Sequence, residues 1–172
     1  MHASLRVSFV VALISFVGCG FFSGSHLVQG TKSMEPTLQI GDHFAIVGFK
    51  GLDVVERFDI AGYHRKPDPK KGIDKNTIFV HRIIGLPGET VEMKEGVVFI
   101  DGKELDHPGF EIIQSQETHP AVTIPAGEYY LLGDNRPDSE DSRFIGTVKS
   151  SDVVGIAGTI IRKADYDAGK RW

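Results

Sequence analysis

The sequence predicts a mostly β protein with one apolar helix at its amino terminus, and two observations carry the β part. Turn signals such as KKG, LPGE, DGKE and PAGE, drawn from 20 glycines, recur along the chain. Between them stand short runs of Val, Ile, Phe and Tyr, the residues that fit a pleated, half-buried surface. At 172 residues the chain suits one domain with a real hydrophobic core.

The amino terminus differs from everything after it. Residues 7–22, VSFVVALISFVGCGFF, carry no charge. Their length falls between a signal-peptide core and the roughly 20 residues that cross a bilayer, and Leu5 with the Ser/Gly flank completes a short span. The run reads as a single membrane anchor over residues 1–24, with Arg6 and the terminal amine on the inner side. Residues 25–172 then form a β domain outside the cytoplasm. A cleaved signal is a second reading. A third is lipidation of Cys19, because FVGCG resembles a lipoprotein box, although Phe16 stands where that box usually has Leu. In every version the remainder lies outside the cytoplasm.

After the linker SGSH, the segment LVQGTKSMEPTLQIGDHFAIV reads as strand, turn, short helical turn and strand. The polar stretch YHRKPDPKKGIDKN follows and reads as an exposed loop, since its prolines and lysines are costly to bury. TIFVHRIIGLPGET is a strand ended by a turn. TVEMKE and VVFIDGKEL make a hairpin around Glu95 and Gly96, strands then flank the polar loop GDNRPDSEDSR, and VVGIAGTIIRK is the last strand.

Composition removes several function classes. The net charge is −4 and no long basic run occurs, which argues against a nucleic-acid partner. With Cys19 as the single cysteine, neither an intrachain disulfide nor a cysteine metal site forms. No Walker-type glycine loop or HExxH pattern is present, so no metal or other cofactor is implied.

Two positions invite a chemical reading. Ser33 in KSMEPTL is a helix cap or a nucleophile, and a serine hydroxyl needs a base within hydrogen-bond reach to act as one. The candidate bases are His81, Lys32, His26, His43, His64, His107 and His119. His81 and Arg82 sit inside an apolar strand, where each must find a partner or face a wet cleft. Lys32 adjoins Ser33, and neighbours on an extended chain point to opposite faces.

Four segments resemble, in order, the sequence boxes of the type I signal peptidases: SMEPTLQIGD, RFDIAGY, HRIIGLPGE and GDNRPDSEDSRFIG. The resemblance covers residues 30–160. It implies a curved, antiparallel β domain behind a transmembrane helix, and a membrane-bound serine endopeptidase that removes signal peptides from exported precursors, cutting after small residues. Carried over position by position, it makes Ser33 the nucleophile, with Thr31 joining the Ser33 N–H in the oxyanion hole. Met34 and Leu38 lie beside the pocket for the small residue, and Ile78, Phe79 and Val80 pair with the substrate strand. Ser139 orients the general base, braced by Asp141 and Arg143. The implied partners are signal-peptide-bearing precursors and the lipid bilayer, on the outer face of the cytoplasmic membrane.

His81 departs from the bacterial pattern, which has a lysine general base there; the archaeal and endoplasmic-reticulum branches have histidine. A lysine base must lose about three pKa units to be neutral, whereas histidine starts near 6.5. A Ser33/His81 dyad therefore predicts a rate that rises through about pH 6–7. Two alternatives remain: an inactive relative that binds precursors as a membrane-tethered domain, and a peptidase dedicated to one specialised precursor.

Overall fold

The structure, a computed structural model, describes residues 24–48, 55–107 and 109–171. The predicted anchor therefore lies outside the described residues, apart from Gly24. Among the described residues no helix is long and apolar enough to cross a membrane.

Among the described residues every pairing between strands is antiparallel, and the strands form two sheets. The first begins with β1 (Gly24–Val28) and β2 (His43–Val47), paired from Gly24↔Val47 to Val28↔His43. Between them the chain makes the expected helical turn, with Glu35 N–H donating to Lys32 C=O at 2.9 Å and Leu38 N–H to Met34 C=O at 2.8 Å. Next come β3 (Ile60–His64) and β4 (Ile78–Gly85), with Tyr63↔Phe79 and Ala61↔His81 in register. β5 (Thr90–Lys94), β6 (Val97–Ile100), β7 (Lys103–Glu104) and β8 (His119–Thr123) form the second sheet, in the order β7-β6-β5-β8. β9 (Glu128–Leu132), a short helix α1 (Ser142–Ile145), β10 (Val148–Lys149), β11 (Val153–Ile161) and a closing helix α2 (Lys163–Asp167) follow. The first sheet then runs β1-β2-β11-β3-β4-β9-β10.

The β5–β6 hairpin turns at Glu95 and Gly96, whose φ values of 49° and 84° are those of a tight hairpin turn. A side chain at Gly96 would meet Ser115 O at 1.9 Å, so this turn needs glycine for space as well as conformation.

One boundary differs from the sequence reading. Tyr63 does not begin the exposed loop: it is wholly buried in β3, paired with Phe79 on one side and Val153 on the other. The polar residues after it hid the end of the strand, and its burial comes from neighbours distant in sequence. The rest of that stretch behaves as a loop, closed by the Asp68↔Ile73 bridge.

Among the described residues three apolar clusters hold the sheets. One joins Leu27, Met34, Leu38, Phe44, Ile46 and Val80 under the serine turn. A second gathers Ala61, Tyr63, Ile83 and Leu131 around β4, and a third packs Ile84, Val91, Met93 and Leu132 between the sheets. β4 thus has core on both faces, and the polar pair His81 and Arg82 is held at 3% and 6% exposure within it.

Candidate active site

The serine turn is built from the residues after β1. Ser33 is buried at 9% exposure, while its neighbour Lys32 is exposed on the outside of the turn. Thr31 Oγ1 lies 3.1 Å from Ser33 Oγ. The turn is pinned from behind: Asn135 N–H donates to Ser33 C=O at 3.0 Å, and the Asn135 side-chain amide donates to Lys32 C=O at 3.2 Å. Gly133 lies against this contact, where a Cβ would come within 2.5 Å of Ser33 O and 2.3 Å of Ser139 Oγ.

β4 carries His81 to the same place. Ser33, Thr31 and His81 line one cleft of about 50 Å³, whose walls include Ile78, Phe79 and Val80 on β4 and Leu27 and Phe44 on the outer strands. No hydrogen bond joins Ser33 Oγ to His81; the Ser33 hydroxyl is engaged with Thr31. Both imidazole nitrogens are taken, Nδ1 by the Tyr63 hydroxyl at 2.9 Å and Nε2 by Ser139 Oγ at 3.2 Å.

From Ser139 the network continues inward. Ser139 Oγ donates to Asp141 Oδ2 at 2.8 Å, which also accepts from Gly133 N–H at 2.9 Å. Arg143 grips the same carboxylate through Nε at 2.8 Å and Nη2 at 3.0 Å, and reaches Glu117 at 2.6 Å. Asp141 is itself the cap of α1, accepting from Arg143 N–H, so the helix start fixes the loop that faces His81. A second buried pair ties β4 to this loop: Arg82 donates to both oxygens of Asp134 at 2.9 and 2.6 Å.

Burial dominates the electrostatics. It pushes the His81 pKa down to about 4, opposed by Asp141 and reinforced by Arg65 and Arg143. The imidazole is therefore neutral at pH 7. Burial alone would raise the Asp141 carboxyl, but the Arg143 hydrogen bonds and nearby charges hold it below the usual carboxylate value. Burial drives Tyr63 well above an ordinary phenol, so its hydroxyl keeps its proton.

The predicted residues are thus distributed unevenly. Ser33, Thr31, His81, Ile78, Phe79 and Val80 share the cleft, and Ser139, Asp141 and Arg143 back His81. Met34 and Leu38 are wholly buried beneath the serine turn and are not among the cleft's lining residues. The other described histidines lie elsewhere. His26 and His43 contact each other, His64 meets Thr77 O, His119 meets Glu117 and His107 packs near Phe58 and Phe110. Among the described residues, no group of three or more His, Cys, Asp or Glu could hold a metal ion.

Sequence reasoning missed Tyr63, Gly133 and Asn135. Tyr63 was hidden by its polar successors. Gly133 and Asn135 stood in the GDNR segment, but nothing in the linear order says that they press on Ser33.

A sequence profile described as "Signal peptidase, peptidase S26" matches residues 2–161. A probable signal peptidase I-2 of Synechocystis sp. is 35% identical over 155 residues, covering 89% of this chain and 70% of that protein. A signal peptidase IB of Staphylococcus aureus is 32% identical over 171 residues, covering 88% and 83%. A crystal structure of a signal peptidase I from Enterococcus faecalis V583 is 34% identical, covers 62% of this chain and 98% of that one, and has a TM-score of 0.45. The chain belongs to the signal peptidase family, peptidase S26, and is a serine peptidase.

Proposed function

We propose that this chain is a membrane-tethered signal peptidase that removes leader peptides from exported precursors through a Ser33/His81 dyad. Residues 1–24 anchor it, and residues 25–172 form the catalytic domain on the outer face of the cytoplasmic membrane. The observation that carries the reading is the common cleft: Ser33 and His81 face it together, and His81 is backed by the Ser139–Asp141–Arg143 chain.

The precursor adds as a strand beside Ile78–Val80, beyond the point at Arg82 where β9 stops pairing with β4. The cleft is small, about 50 Å³, which favours a small residue before the cut. Substrate binding turns the Ser33 hydroxyl from Thr31 toward His81. Ser33 Oγ then attacks the scissile carbonyl as its proton passes to His81 Nε2. The oxyanion accepts hydrogen bonds from Ser33 N–H and the Thr31 hydroxyl. His81 returns the proton to the leaving amine, and a water activated in the same way frees the acyl-enzyme.

The unmade Ser33–His81 bond favours a second reading, in which the domain binds precursors without cutting them. The two separate on one experiment. Detergent-solubilised chain is incubated with a precursor bearing an Ala-X-Ala site, beside its Ser33→Ala and His81→Ala forms. Cutting by the wild type alone supports the dyad; binding without cutting by all three supports the rival. A panel of unrelated precursors tells a general peptidase from a dedicated one.

A further inference from the structure

Tyr63 reaches His81 from the neighbouring strand. Phe79 is its register partner, so His81, two residues on, is its diagonal neighbour on the same face of the sheet. The ring is wholly buried, and its hydroxyl lies 2.9 Å from Nδ1. A phenylalanine would fill the same space. What the position adds is a hydroxyl, which both donates and accepts.

The protons of the network explain why that matters. When Ser139 donates its single O–H to Asp141, its oxygen accepts from His81 Nε2–H, and Nδ1 accepts a hydrogen bond from the Tyr63 hydroxyl. In that arrangement His81 has no lone pair for Ser33. The competent arrangement has the proton on Nδ1, donated to the Tyr63 oxygen, so that the Nε2 lone pair accepts from the Ser139 hydroxyl until the Ser33 hydroxyl takes its place. Asp141 Oδ2 can release the Ser139 proton because Gly133 N–H and Arg143 still satisfy it.

We propose that Tyr63 is a positioning residue for the cleavage reaction: its hydroxyl holds the His81 ring and, by turning from donor to acceptor, selects the tautomer whose Nε2 takes the Ser33 proton. The proposal rests on the reading of His81 as the base. The proton moves from Ser33 Oγ to Nε2 as the Oγ–C bond forms, then to the amine as the C–N bond breaks. Tyr63 keeps its own proton throughout and accepts from Nδ1–H of the imidazolium. Asp141, Asp134, Arg65 and Arg143 are the charged groups whose fields act on the ring.

The test uses the full chain in detergent with histidine labelled in the ring nitrogens, comparing wild type, Tyr63→Phe and His81→Ala. Tyr63→Phe is expected to lower kcat about tenfold or more with KM unchanged, and to redistribute the His81 tautomers in the nitrogen spectrum. A purely structural role would instead lower the melting temperature while the folded fraction kept wild-type kcat and spectrum, and this overturns the proposal. So does a Tyr63→Phe form with unaltered kcat and spectrum; if His81→Ala is inactive there, the base reading survives. Full cutting by His81→Ala overturns the base reading and, with it, the role of Tyr63.

Discussion

At the residue scale, the consequence of burying His81 is a change in where the reaction should titrate. The free imidazole value predicts a rate rising through pH 6–7, but burial at 3% exposure brings the pKa down to about 4. A His81 base is active when neutral, so cutting should rise through about pH 4 and stay level above it; a midpoint at 6–7 in the pH–rate profile would contradict this environment. His81→Lys, if it cuts, should move that midpoint upward, because a lysine loses its proton at higher pH than a histidine in the same setting. Gly133→Ala should cost roughly a hundredfold in kcat, since the added methyl falls within 2.5 Å of Ser33 O and displaces the nucleophile. Asp141 and Ser139 also part company. Asp141 is wholly buried and accepts from Gly133, Ser139 and Arg143, so Asp141→Ala should destabilise the fold by about 3–5 kcal/mol in denaturant titration, whereas Ser139→Ala should chiefly slow turnover.

At the element scale, β4 does two jobs with one sequence. Residues Ile78–Arg82 pair with β3 and line the cleft as far as His81, while Arg82–Gly85 pair with β9 and are buried in the core. The loop after β3 is held over the Ser139–Asp141 segment by Arg65 and Lys71, both bonded to Glu140. Glu140 and Lys71 are well exposed, so Glu140→Ala should change the unfolding free energy by no more than about 1 kcal/mol. The hairpin between β5 and β6 is less forgiving. Gly96→Ala combines a left-handed φ of 84° with a clash at 1.9 Å, and should lower the melting temperature by several degrees in calorimetry.

At the scale of the whole molecule, the buried histidine links stability to pH. His81 has a folded pKa of about 4 against an unfolded value near 6.5, so the unfolded chain binds the extra proton first. Its effect is absent above pH 6.5, grows as pH falls, and is complete below about 4, at roughly 3 kcal/mol of lost stability. His26, His43 and His107, also lowered chiefly by burial, add in the same direction. Denaturant midpoints measured between pH 7 and 4.5 should fall for the wild type and fall less for His81→Gln. For the anchor, alkaline carbonate washing should leave the chain in the membrane, with its β domain digested by protease added outside.

What the sequence determined by itself was local or motif-borne. The turn residues and β-branched runs gave a mostly β chain, and Glu95-Gly96 gave a hairpin, because these depend on neighbours in the chain. The order of the boxes picked out Ser33, His81, Ser139, Asp141 and Arg143. The tertiary structure alone decided what depends on residues distant in sequence. It placed Tyr63 inside a strand and against His81, set Met34 and Leu38 under the serine turn rather than along the cleft, and wedged Gly133 between Ser33 and Ser139. It also lowered the His81 pKa, since desolvation is a property of the packed surroundings and no alternation or spacing along the chain encodes it.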